Sequence, residues 1–169
     1  MARHPTEVSK LILSSTAAQF RLDETVKMMS QLGGENAAEV AHKFFSNPSQ
    51  EAYNAYGDVC LPLYSNPNKA AADAFREQAI ERPEVALHFF ANEMAHMDMR
   101  NEIKAIVCPT LVIGGTIVPV TSPICFQEIA KAIVNNAHLQ IFEGCGHGSH
   151  RDYPESAEKV MRCFLPGHI

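Results

Sequence analysis

The sequence predicts an α/β fold of parallel strands with flanking helices and a long helical insertion. Three observations carry this. Short apolar runs appear at Leu11-Ile12-Leu13, at Thr110–Gly114 and at Leu139–Phe142, each with the length of a buried strand. Helix-period stretches fill residues 16–106, between the first and second runs. A single helix-length segment, 122–133, joins the second run to the third, as a parallel crossover requires.

Val8–Ser14 is the first strand. Only seven residues precede it, and Arg3-His4-Pro5 reads as the tail of an earlier element, since His4-Pro5 suits the end of a helix better than a start. The following segment is helical. Leu22, Val26 and Met29 mark one helix, stopped at Gly33-Gly34. Asn36 is placed to cap a second, striped by Ala37, Val40, Ala41, Phe44 and Phe45 and ended by Pro48. Ser49 opens a third, with Tyr53, Tyr56 and Val59, before Pro62. Ala70–Ala79 forms a fourth, and Pro83 starts a fifth with Val85, Phe89, Phe90 and Met94. These stripes read first as helix packing, and second as a substrate lining from Phe44, Tyr56, Phe89 and Met94. Ser122-Pro123 starts the crossover helix, and Pro154 the last one, with Ala157, Val160, Met161 and Phe164. A loop of some ninety residues is far longer than usual. The stretch 16–106 is therefore expected to form a helical lid, between a first core strand in 1–15 and a carboxyl-terminal core in 107–169.

The hydrophobic share of 46% and charged share of 20% suit a folded domain and argue against disorder. A net charge of −5 offers no footprint for nucleic acid or an anionic membrane. No apolar run nears the roughly 20 residues of a membrane span, and the start has no apolar signal core. Five scattered cysteines without a C-x-x-C pair read as free thiols, placing the chain in the cytoplasm. Gly33-Gly34 and Gly114-Gly115 lack the context of a phosphate loop, so no cofactor is expected.

The stretch most suggestive of chemistry is His138–Glu155. His147 stands between Gly146 and Gly148, beyond the third strand, where open α/β sheets place functional side chains. The residues alone leave open an ordinary surface histidine in a turn. Cys145, His147, His150 and Asp152 could also be read as metal ligands, but their spacing is not that of a helical zinc pair, and no metal is expected. The remaining histidines, His4, His42, His88, His96, His138 and His168, do not cluster.

Three elements in order resemble the carboxyl-terminal half of an α/β-hydrolase, most like the proline iminopeptidase branch with its helical cap. They are the opening R-H-P-x-x-V-x-x-L-I-L-x-S, then C-P-T-L-V-I-G-G with P-V-T-S-P, and last G-x-G-H-G with R-D-x-P-E. The likeness covers nearly the whole chain. It implies a partial α/β-hydrolase fold, a small ester or peptide substrate, and His147 as the catalytic base. It also implies an acid on the loop after Thr110–Gly114, where this chain has Val118, with Thr116 and Ile117 beside it. The nucleophile motif G-x-S-x-G is found nowhere in the 169 residues. Ser14, Ser15 and Thr16 lie at a strand end without the required elbow, and Ser149 and Cys145 lie too near His147 on one loop to form a nucleophile–base pair. Glu143 and Asp152 are carboxylates near His147 in sequence, but neither stands at the family's acid position.

The expectation is a hydrolase-like chain inactive alone, partnered by an amino-terminal hydrolase half. The alternative is a non-enzymatic remnant or interaction module that self-associates through an exposed sheet edge.

Overall fold

The computed structural model describes residues 7–65 and 69–165. Arg3-His4-Pro5 and His168 lie outside the described residues. The apolar runs become three parallel strands, β1 (Leu11–Ser14), β2 (Thr110–Gly115) and β3 (Ala137–Phe142). They are ordered β1-β2-β3, with Leu11 opposite Thr110 and Thr110 opposite Ala137. β2 is buried along its whole length because it has a partner on each side. That explains its unbroken apolar run, without the alternation of a half-exposed strand.

Between β1 and β2 the chain forms α1 (Leu22–Ser46), α2 (Gln50–Val59), α3 (Lys69–Glu77) and α4 (Pro83–Asn92). Within α1 the two helices expected before Pro48 meet at a break at Gly34 (φ 75°, ψ −170°), where the stop was expected; Asn36 lies inside the second helix rather than before its start. Glycine reaches that left-handed φ without the steric cost a side chain would add. Gly33 is helical, and there glycine serves close packing instead: a Cβ would stand 2.7 Å from both Ala37 Cβ and Leu63 Cδ1. Ser49 caps α2, its hydroxyl accepting from the Ala52 N–H at 3.2 Å. A short 3-10 turn, Leu61–Tyr64, replaces the simple break expected at Pro62.

These helices bury an apolar cluster of their own, centred on Met29, Phe44, Phe45, Tyr56 and Cys60. Phe44 and Tyr56 are therefore packing residues, whereas Phe89 is 42% exposed. The ends of the insert close on each other, with Gln19 bridged to Asp98 and the Met99 N–H donating to the Ala18 carbonyl at 2.7 Å. Its first helix is tied to the crossover by an Arg21–Glu128 ion pair and by Thr25 donating to the Val120 carbonyl at 3.4 Å.

α5 (Pro123–Ala132) joins β2 to β3 and packs Cys125, Phe126 and Ile129 into a second cluster with Val112 and Val118. Ser122 precedes it but makes no capping side-chain bond. After β3 come a one-turn helix α6 (Ser149–Asp152) and then α7 (Pro154–Phe164). α6 went unforeseen because four polar residues carry no periodic signal. No described helix is long and apolar enough to cross a membrane.

Candidate functional site

The site is assembled where two loops leave the carboxyl ends of β2 and β3. Beyond Phe142 the backbone turns through Gly144 at φ +67°. The following residues are then pressed against the loop after β2. The Thr116 N–H donates to the Phe142 carbonyl and the Ile117 N–H to the Cys145 carbonyl, both at 3.1 Å. The Thr116 hydroxyl accepts from the Gly144 N–H at 2.9 Å and lies 3.3 Å from Glu143 Oε1, its acceptor. Glu143 is thus directed to Thr116. Asp152 accepts the Gly146 N–H at 2.7 Å, closing the histidine loop onto α6.

His147 stands at the end of this loop. Its N–H donates to the Tyr64 carbonyl at 2.7 Å, and its ring meets the Tyr64 ring edge-on with centroids 5.2 Å apart. Among the described residues, the buried Nδ1 has no hydrogen-bond partner. Burial, reinforced by the charges of Arg151 and His150, holds the imidazole well below its usual range, at about 4. At neutral pH the ring is therefore uncharged and able to accept a proton. Its protonated form is disfavoured by that burial and by the neighbouring positive charge.

Val118 is fully buried and belongs to the apolar cluster beside α5. The position at which the family resemblance looks for an acid is thus part of the core. Cys145 is fully buried, and burial together with the Asp152 carboxylate pushes its thiol up to about 12. A thiol so shifted holds no useful thiolate at neutral pH. Ser149 is fully buried and its hydroxyl has no partner among the described residues. Ser15 follows β1 at φ +47°, with its N–H bonded to the Ile113 carbonyl at 2.8 Å. Ser14, next to it, is exposed. Among the described residues no hydrogen bond joins the His147 ring to Ser14, Ser15, Ser149 or Glu143. No three His, Cys, Asp or Glu side chains among them are grouped to hold a metal ion, so Cys145, His147, His150 and Asp152 do not converge. His42, His88, His96 and His138 are exposed and dispersed.

Tyr64 is the residue that sequence reading missed. It sits in L-P-L-Y, which shows only a helix stop, and no local pattern announces a contact with a loop so distant in the chain.

No family model and no curated protein sequence matches the chain. Solved structures do resemble it. The enol-lactonase from Burkholderia xenovorans LB400 superposes with a TM-score of 0.60 at 21% identity, over 98% of this chain and 59% of its own. A thermophilic esterase from Thermogutta terrifontis gives 0.67 at 19% identity, over 96% and 57%. An alpha/beta fold family hydrolase from Bacillus anthracis gives 0.64 at 17% identity, over 93% and 58%. The chain therefore carries part of the α/β-hydrolase fold, and it spans somewhat under three fifths of the length of these neighbours in most cases.

Proposed function

We propose that this chain is the carboxyl-terminal part of a hydrolase unit acting on a small ester or lactone, with residues 16–106 as its lid and His147 as the general base. An amino-terminal amide is the narrower substrate implied by the likeness to proline iminopeptidases. The observation that carries the reading is the clasp between two loops at one end of the sheet. It sets a neutral histidine beside the loop where such enzymes hold their acid. The enol-lactonase and the esterase among the structural neighbours support ester chemistry for the substrate class.

These 169 residues contain no G-x-S-x-G, so the attacking serine and its oxyanion donors come from other polypeptide. His147 then takes the serine proton and returns it to the leaving alcohol. With valine at 118, no carboxylate from that position steadies the imidazolium formed in between. Loss of the acid in a serine protease lowers turnover about 10⁴-fold.

A fluorophosphonate probe tests this. The isolated chain is expected to remain unlabelled. Its complex with a G-x-S-x-G-bearing amino-terminal hydrolase half should label on that serine, lose labelling in His147→Gln, and gain turnover in Val118→Asp. Stoichiometric labelling of the isolated chain, or labelling of the complex indifferent to His147→Gln, refutes the proposal.

A further inference from the structure

Among the described residues the His147 Nδ1 has no hydrogen-bond partner, yet the place of the ring is defined from another direction. The Tyr64 carbonyl receives the His147 backbone N–H at 2.7 Å, fixing the loop that carries the ring, and the Tyr64 ring stands edge-on to the imidazole at 5.2 Å. The same tyrosine is anchored behind. Its hydroxyl lies 2.7 Å from that of Tyr56, which is 5% exposed and packs on Phe44 with ring centroids 4.8 Å apart. Gly146 lets the two segments approach: a Cβ there would stand 2.4 Å from the Tyr64 carbonyl oxygen. A continuous chain of contacts thus runs from the core of the insert to the imidazole.

We infer that Tyr64 is the positioning residue of His147, so that the helical insert, through this one side chain and its carbonyl, sets where the imidazole stands. The inference rests on reading His147 as the base and names a residue of that site outside any triad. Tyr64 acts through His147 and touches no reacting atom. Its edge-on ring covers one side of the imidazole and keeps water from it. The other groups bearing on that ring are the cationic Arg151 and the neighbouring His150 on α6. Asp152 is engaged with the Gly146 N–H on the same loop. An insert that shifted its 3-10 turn would uncover the histidine and release its orientation together.

The test is an NMR titration of the His147 imidazole in the full chain, its signal identified by its loss in His147→Gln. Tyr64→Phe keeps the ring and loses only the hydroxyl contact with Tyr56, so its midpoint should match that of the wild type, expected at about 4. Tyr64→Leu removes the ring while leaving the carbonyl. Its midpoint should rise by about one unit or more toward that of a solvated histidine, and the imidazole signal should broaden as the ring samples further rotamers. A folded Tyr64→Leu with the wild-type midpoint and line shape overturns the inference. Should that variant not fold, Tyr64→Met, whose unbranched flexible side chain fills space without an aromatic edge, is compared with Tyr64→Phe, and equal midpoints overturn it in the same way. A tyrosine that merely stabilised the insert would lower the melting temperature without moving this titration. Turnover is not read, so the outcome is separate from whether the hydrolytic proposal holds.

Discussion

A Cβ placed on Gly115 would lie 1.9 Å from the carbonyl oxygen of Cys145, closer than any real pair of such atoms. Gly115 ends β2, and Cys145 belongs to the histidine loop. Their approach lets the Ile117 N–H reach the Cys145 carbonyl at 3.1 Å.

Gly115→Ala should therefore be costly. The obstruction is backbone, which cannot rotate away as a side chain can, so the two loops must separate and lose their shared hydrogen bonds. A loss of about 2–3 kcal/mol is expected from overpacking of this kind. Urea unfolding measures it, and a loss below about 0.5 kcal/mol, the ordinary range of surface substitutions, would show that the clasp is loose.

Gly114 makes a contrasting case. An added Cβ there would meet the Phe126 ring at 1.9 Å, and Phe126 is fully buried in the α5 cluster. Gly114→Ala alone should cost about 2–3 kcal/mol. Combined with Phe126→Leu, which removes the ring edge, it should cost less than the two single changes added together, by about 1 kcal/mol. Strict additivity in a double-mutant cycle would place the ring elsewhere.

The histidine gives stability a pH dependence. Its ring titrates near 4 when folded and near 6.5 when free, so between these values the unfolded chain binds more protons. The stabilisation is complete above pH 6.5 and declines as pH falls through 4, below which no further loss comes from this group. The difference corresponds to roughly 3 kcal/mol in full. His150, also lowered by burial and by Arg151, acts in the same direction. Urea midpoints measured across this window should fall with acidity in the wild type and be distinctly flatter in His147→Gln. Parallel curves would mean that the imidazole is solvated.

Two changes in the insert separate capping from backbone conformation. Ser49→Ala removes the acceptor for the Ala52 N–H and should cost about 1 kcal/mol. Gly34→Ala meets no neighbour within 4 Å, so any cost comes from its backbone (φ +75°, ψ −170°) alone, about 1–3 kcal/mol. Thermal unfolding by circular dichroism reads both, and a neutral Gly34→Ala would show that the helix continues unbroken there.

Local chemistry determined more of this protein than its site. Apolar runs of strand length, helix-period stripes, and glycine or proline punctuation are short-range signals, and they located three strands, the helical insert and the crossover helix to within a few residues. They also put His147 on a glycine-framed loop past β3. Gly33-Gly34 marked a real break between two helices, but only the tertiary structure shows that Gly34 carries the non-helical backbone while Gly33 is crowded by Ala37 and Leu63. Tertiary structure alone decided that Glu143 turns to Thr116, that Val118 is buried core, and that Tyr64 closes over His147. Such contacts join segments far apart in the chain. They depend on how the insert packs back onto the sheet, and no periodicity within either segment encodes that distance.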